Sequence, residues 1–333
     1  MSASAVSQQL IPAERLRIGH VREPAPTSRA RPLDIEALDR RLRAVVQGEV
    51  RFEAASRALY AQDASNYRRI PLGVVIPTST EDVLAAISVC RELGAPIVSR
   101  GGGTSLGGQT VNEAVVLDFS KRMNRIVWLD HEARLAAVEP GVVCDELVEA
   151  AKPFGLTWGP QPATHSHCCF GGMLGNNCGG MRAQMNGIAV QNVEALDAVL
   201  YDGTRIHAGW MREEDLAAAI RRGGAEGALL GRLRALRDRW AERIRLVYPK
   251  IPRRVSGYNL DQLLPGPDGR FNLGRVLVGS EATLVTMLEA TLQLIPDPPR
   301  HVVVVLGYRD IFEVADAAHT FLDFRPLAVE GMD

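Results

Sequence analysis

Residues 99–108, Ser99-Arg100-Gly101-Gly102-Gly103-Thr104-Ser105-Leu106-Gly107-Gly108, lie between two apolar runs, residues 95–99 and 115–119, that read as buried strands. Five glycines in eight positions leave backbone N–H groups clear of side chains, so the loop can curl around an anion such as a phosphate or pyrophosphate. The two commoner phosphate patterns do not fit. A dinucleotide fingerprint counted from Gly101 and Gly103 needs glycine where Leu106 stands, and a helix where a strand is expected. A phosphate loop counted from Gly103 and Gly108 continues with lysine and a hydroxyl residue, whereas Gln109 and Thr110 follow here. A plain connection with no ligand is the remaining alternative, but the loop is longer and richer in glycine than a turn requires.

A second glycine-rich segment spans residues 159–180 and ends in Phe170-Gly171-Gly172-Met173-Leu174-Gly175-Asn176-Asn177-Cys178-Gly179-Gly180. His165, His167, Cys168, Cys169 and Cys178 suggest zinc, but no second pair stands at zinc-site spacing and the intervening glycines scaffold a tetrahedron poorly. No metal site is therefore expected. Five cysteines, odd in number and irregularly spaced, also argue against a disulfide framework and for a reducing compartment. A net charge of −1 gives no reason to expect nucleic acid as a partner, and no run is long and apolar enough to span a membrane. A cytoplasmic location, which allows peripheral attachment to an inner membrane, is the default.

The expected elements follow an α+β order rather than a regular alternation. Residues 1–33 read as a loosely docked leader and 33–59 as one or two helices. A strand over 73–77 precedes a helix from Ser79 to Leu93, with Ser79 and Asp82 at capping-box spacing. Strands are expected at 95–99, 115–119, 126–129 and 135–138, and a helix at 144–154. Residues 193–201 and 205–208 should pair around the Asp202-Gly203 turn. Residues 212–248 form a charged helical excursion broken at Gly223-Gly224. Further strands are expected at 276–280 and 301–308, then a helix over 311–321.

Two glycine loops about sixty residues apart suggest a ligand too large for one of them. Together with Val199-Leu200-Tyr201-Asp202-Gly203 and Gly279-Ser280-Glu281-Ala282-Thr283-Leu284, they resemble the FAD-linked oxidases of the p-cresol methylhydroxylase and vanillyl-alcohol oxidase type. The nearest branch looks like the D-2-hydroxyacid dehydrogenases acting on D-2-hydroxyglutarate, D-lactate or glycolate, of the kind fused to iron–sulfur modules. The resemblance implies a two-subdomain FAD-binding domain over residues 60–299, preceded by residues 1–59 and followed by the start of an α+β cap at 300–333.

The resemblance also implies site residues. The FAD pyrophosphate would lie on Arg100, Gly101, Gly102, Gly103, Thr104, Ser105, Leu106, Gly107 and Gly108. The ribityl chain and ring would run along Pro162, Thr164, Ser166, Gly171, Gly172, Asn176, Gly179 and Gly180, with Gly187 and Val193 closing on the adenine side. Some relatives attach flavin through a histidine in the first loop, and none stands there, so non-covalent FAD is expected. Arg253, Arg254, Ser256, Tyr258 and Asn259 resemble a segment that faces the substrate carboxylate, where a guanidinium fork gives two parallel hydrogen bonds.

The reaction implied is hydride transfer from the substrate α-carbon to flavin N5, with electrons passed to an acceptor protein or quinone rather than to a nicotinamide. No catalytic base is assigned, and His167 is the local candidate. The family's cap and C-terminal metal and base cluster, and any iron–sulfur clusters, would lie beyond Asp333, so the chain looks like an N-terminal piece. A catalytically idle FAD-binding module and a reductase of the related cell-wall precursor family are the alternatives. A homodimer is compatible with all of these readings.

Overall fold

The computed structural model describes residues 33–332; the expected leader at residues 1–32 lies outside them. Helix α1 (Ile35–Val45) starts at Asp34, whose carboxylate accepts from the Ala37 N–H at 2.9 Å, and it buries Leu38 and Leu42 where it packs on helix α3 (Thr80–Leu93). Strand β1 (Glu49–Arg51) then intervenes before α2 (Ala54–Leu59), where helices alone were expected. It becomes an edge strand because its partner β2 (Gly73–Ile76) is supplied from outside the local window, in antiparallel register Val50 to Val75.

Helix α3 (Thr80–Leu93) is capped by the Ser79 hydroxyl and ends on Gly94 in the left-handed region. Strands β3 (Ile97–Arg100) and β4 (Val115–Asp118) run parallel to each other and to β2, giving the sheet order β1-β2-β4-β3. Every residue of β2 and β4 is buried, as continuous apolar runs in a sheet covered on both faces should be.

The second layer is a five-stranded antiparallel sheet, β5 (Ile126–Asp130), β6 (Leu135–Val138), β8 (Val193–Val199), β9 (Arg205–Ala208) and β12 (Thr286–Gln293), in the order β5-β6-β12-β8-β9. Helix α4 (Cys144–Ala151), a two-stranded pair of β7 (Leu156–Thr157) with β13 (Ile295–Pro296), and the short helices α5 (Phe170–Gly175) and α6 (Ala183–Asn186) fall in this half. The pair β10 (Trp210–Arg212) and β11 (Arg270–Asn272) brackets the excursion of α7 (Glu213–Arg222) and α8 (Gly224–Val247), broken at Gly223-Gly224 as expected. The larger core includes Trp158, Phe170, Leu174, Leu196 and Leu292.

Two expected strands are corrected. Residues 276–280 are not a strand: α9 (Leu273–Leu277) ends within that stretch and residues 278–280 leave it as a turn, the helix being capped by the Asn272 side chain, which accepts from the Arg275 N–H at 3.1 Å. Leu273, Gly274, Val276 and Leu277 are its buried residues, and the spacing of the three larger ones is helical. Residues 301–308 form no strand either. Val302, Val303, Val304 and Val305 are 72–86% exposed, and no strand pairs with them among the described residues. A β-branched run becomes a strand only by pairing, and none of the described edge strands pairs with this one. Helix α10 (Ile311–Ala318) follows, with no buried residue.

Candidate functional site

The first glycine loop is held from below by a short polar chain. Arg100 Nη2 donates to the Gln62 carbonyl at 2.8 Å, and its guanidinium lies 5.4 Å over the Tyr60 ring. The Tyr60 hydroxyl donates to Asp118 Oδ2 at 2.6 Å, and burial together with that carboxylate pushes its pKa well up. Asp118, 2% exposed, also accepts from the Ser120 N–H and hydroxyl. At the far end, Thr110 donates to Asp63 at 3.0 Å. Burial raises the Asp63 carboxyl, but hydrogen bonds from Ser65 and Thr110 outweigh it and hold it below the usual range. Between these anchors the Gly103 carbonyl accepts from the Ala64 N–H, while the N–H groups of Gly103, Thr104, Ser105 and Leu106 donate to no protein acceptor among the described residues.

The second loop meets the first at van der Waals distance. A Cβ on Gly102 would stand 2.1 Å from the His167 carbonyl oxygen, so glycine is required there. Asn176 Nδ2 bridges to Ser105 Oγ at 3.4 Å. Beside it Asn177 is fully buried at φ +49°, accepting from the Val190 N–H at 2.9 Å and donating to the Arg254 carbonyl at 3.3 Å. A third wall, residues 279–287, is stitched to α5: the Gly279 N–H donates to the Leu174 carbonyl and the Glu281 N–H to the Gly175 carbonyl. Glu281 and Ala282 both sit in the left-handed region, at φ +49° and +59°, a costly backbone for such residues at a cleft wall.

These three walls line one open cleft. Of the residues expected from sequence, Arg100, Gly101, Ser105, Gly171, Gly172 and Asn176 line it. Gly102, Gly103, Thr104, Leu106, Gly107 and Gly108 complete the first loop, with Leu106 81% exposed. Pro162, Thr164 and Ser166 belong to the turn whose next residue, His167, presses on Gly102. Gly179 and Gly180 pack against the protein instead of the cleft; a Cβ on Gly180 would stand 1.9 Å from the Gln161 carbonyl. Gly187, at φ +75°, ends α6, and Val193 is buried at the start of β8. His167 does not line the cleft; its Nδ1 lies 2.8 Å from Ser166 Oγ.

The 253–259 segment adjoins the third wall. The Tyr258 and Thr283 hydroxyls are 2.8 Å apart. Arg254 is engaged internally: Nη2 donates to Asp261 at 2.6 Å and to Asn259 at 3.3 Å, and its guanidinium stacks 4.5 Å over Tyr248. Asn259, 1% exposed, donates to the Val278 carbonyl at 2.7 Å. Arg253 and Ser256 are exposed, and Arg253 has no ion-pair partner among the described residues. The thiols are placed for packing: burial pushes Cys90, Cys169 and Cys178 up to about 12. His165 pairs with Asp145 at 2.7 Å.

Sequence reasoning missed Ser99, Gln109, Thr110, Gly175 and the third wall as lining residues. The third wall had a signal, Gly279-Ser280-Glu281-Ala282, which contributed to the resemblance without being placed at a site. The cleft suits a flavin dinucleotide. A Cβ added at Gly172 or Gly175 would meet no protein atom within 4 Å, so the second loop turns bare backbone toward open space. Unpaired N–H donors lie in the facing loop, above the positive charge of Arg100.

A parallel-strand layer and an antiparallel layer meeting at paired glycine loops define a two-subdomain flavin-binding domain. Residues 71–209 match the FAD binding domain model, so this part of the chain is an FAD-binding domain, with FAD as its cofactor. It is 31% identical over 290 residues to a D-2-hydroxyglutarate dehydrogenase of Pseudomonas putida, covering 86% of this chain and 29% of that protein. It is 28% identical over 283 residues to the glycolate oxidase subunit GlcD of Bacillus subtilis, covering 84% of this chain and 49% of that one. A D-lactate dehydrogenase of Archaeoglobus fulgidus is 29% identical over 266 residues, 78% of this chain and 47% of that protein. The chain thus spans under half the length of each of these relatives. Among solved structures, alkyldihydroxyacetonephosphate synthase shares the fold with a TM-score of 0.58 at 16% identity, over 86% of this chain and 49% of that one. No helix among the described residues is long and apolar enough to cross a membrane.

Proposed function

We propose that this chain holds the FAD of an enzyme that oxidises a D-2-hydroxyacid to the 2-oxoacid and passes the electrons to an acceptor other than a nicotinamide. The observation that carries the reading is the convergence of both glycine loops and the 279–287 wall on one cleft. The names and identities of the relatives support the substrate class.

FAD, when bound, supplies the two-electron acceptor for the substrate. The chain's own residues bind and orient. The N–H groups of Gly103, Thr104, Ser105 and Leu106 donate to the pyrophosphate, and Arg100 adds positive charge beneath them without leaving its carbonyl partner. Gly171, Gly172 and Gly175 let the second loop approach the flat part of the cofactor, and Asn176 keeps the two loops in register through Ser105. Arg253 is the guanidinium left to pair with a substrate carboxylate. Arg254 and Asn259 hold the segment that carries it. Attachment is non-covalent, so denaturation releases the flavin.

The test is spectroscopic. The purified chain shows oxidised-flavin absorbance, and anaerobic addition of D-2-hydroxyglutarate, D-lactate or glycolate bleaches it while NADPH does not. Bound flavin that none of the three acids bleaches would leave an FAD-binding module that is idle on its own. Bleaching by NADPH would favour a reductase.

A further inference from the structure

Cys144 and Cys168 stand opposite each other where helix α4 begins, and both are free thiols. Val143 and Cys169 form an antiparallel bridge, and one step along it the Cys144 N–H donates to the Cys168 carbonyl at 3.0 Å. Residues opposed in such a pair turn to one face, and successive residues to opposite faces. The alternation is visible on both sides. Cys169 turns to the first glycine loop, where a Cβ on Gly101 would stand 2.8 Å from its side chain, whereas Cys144 and Cys168 both belong to the larger core. Opposed residues of antiparallel backbone have Cα atoms about 4.5–5.5 Å apart, inside the roughly 4.4–6.8 Å that a disulfide spans.

The two thiols also differ from the other three, which burial alone or chiefly pushes up. Cys144 is pushed well up by the adjoining Cys168 sulfur and then by burial, so it keeps its proton. Cys168 is lowered instead, because the Cys144 thiol and the Thr164 side chain hydrogen-bond to its sulfur and outweigh burial. It follows directly on an exposed turn, residues 163–167, and its N–H donates to the Thr164 carbonyl at 2.9 Å. Cys168 is 5% exposed and Cys144 fully buried, which places the attacking sulfur on the outer side of the pair.

We propose that Cys144 and Cys168 are an oxidation site that a peroxide closes into a reversible disulfide. The Cys168 thiolate attacks one oxygen of hydrogen peroxide; the O–O bond breaks, a sulfenic acid forms, and the departing hydroxide takes up the proton Cys168 had lost. The Cys144 sulfur then attacks the sulfenic sulfur. The S–S bond forms as the S–O bond breaks, and the hydroxyl leaves with the Cys144 proton as water. Two thiols thereby lose two hydrogens and one peroxide becomes two waters, and a dithiol reductant reverses the bond. The bond fastens to α4 the turn whose His167 carbonyl presses on Gly102, so the pair is a latch on the second glycine loop. It stands apart from the reading of the cleft and requires no bound cofactor.

The test counts thiols after hydrogen peroxide treatment and denaturation. Wild type should lose two of its five thiols, regain them with dithiothreitol, and show on peptide mapping a Cys144–Cys168 link within one chain. Cys168→Ser should lose none at the same dose. Cys144→Ser should lose one, as a sulfenic acid at Cys168 that dimedone traps, because the resolving thiol is gone. The linked chain should melt above the reduced one, since the bond closes a loop on backbone already at the right separation. Retention of all five thiols at a dose that oxidises free cysteine completely would overturn the proposal. So would a link that joins other cysteines or two chains, or one that lowers the melting temperature, which would mean the backbone distorts to make it. The mapping uses the wild-type chain alone, so it decides the matter even where a serine variant fails to fold.

Discussion

Asp82 binds three parts of the first layer to one carboxylate. Its oxygens accept from the Gln47 N–H at 2.7 Å, the Gly48 N–H at 3.0 Å, the Thr78 N–H at 2.9 Å and the Thr78 hydroxyl at 2.7 Å, and the residue is 2% exposed. Burial raises its pKa, but the hydrogen bonds from Thr78, Gln47 and Gly48 outweigh burial, so the folded value lies below the unfolded one. The stability it adds is full above the unfolded value, about pH 4, and is lost as pH falls through the folded value. Asp82→Asn should therefore cost about 2 kcal/mol at pH 7, since an amide brings its own N–H groups against donors that need acceptors. The gap between variant and wild type should begin to narrow in urea melts as the pH falls below the unfolded value, about 4. A gap that stays constant from pH 7 to pH 3 would show that the charge is not what these donors use. In the sequence, Asp82 was visible only as the acidic residue three positions after Ser79 in a capping box. The cap itself is real, with the Asp82 N–H donating to Ser79 Oγ at 3.2 Å, but the carboxylate turns to Thr78 and to Gln47 and Gly48 just before β1, the farther of them 35 positions away, which no local spacing announces.

Elements were legible where one period dominated. Strands β2, β3 and β4, helix α3 and the β8–β9 hairpin follow the apolar runs, cap and turn that announce them. Strand β12, at the centre of the five-stranded sheet, was assigned no element. Its sequence, Thr-Met-Leu-Glu-Ala-Thr-Leu-Gln, is built largely of good helix formers, although its burial alternates strictly in the sheet. Pairing with β6 and β8 on both sides decides its state, and that pairing is not local. The glycine loops were legible as a pair but not in their division of labour, because whether a glycine serves packing or ligand depends on what its absent side chain would meet. Gly102→Ala should lower both melting temperature and FAD uptake, since a Cβ 2.1 Å from the His167 carbonyl forces the loops apart at an overpacking cost of about 1–3 kcal/mol. Gly172→Ala in α5 should do the reverse to the apoprotein, adding about 0.5–1 kcal/mol through helix propensity. Its Cβ enters open cleft, so FAD affinity should fall by about tenfold or more, that is about 1.4 kcal/mol. Equal FAD affinity in Gly172→Ala and wild type, measured by flavin fluorescence quenching, would move the cofactor away from α5.

At the scale of the whole molecule the site belongs to the junction between layers, since β3 and the first loop come from the parallel sheet while α5 and the 279–287 wall stand with the antiparallel one. The cofactor is therefore expected to report on the packing of both layers at once. Residues 300–332 contribute to neither, because none of them is buried, and Val302 to Val305 together with Phe312 and Phe324 are 72–86% exposed. The apolar run that suggested a strand in the sequence is thus a strand former left unpaired among the described residues, which is an association hazard in this chain. A chain ended after Pro299 should keep its FAD affinity and melt within about 2 °C of the full chain, no more than the shift that roughly 0.5–1 kcal/mol produces in a domain of this size. Light scattering at high concentration should fall in the shortened chain, because the exposed valines are gone. A melting drop of about 10 °C would instead mean that residues 300–332 bury surface against the flavin domain in solution, and the cleft's third wall, which leads into β12 and β13, would be the place to look for it.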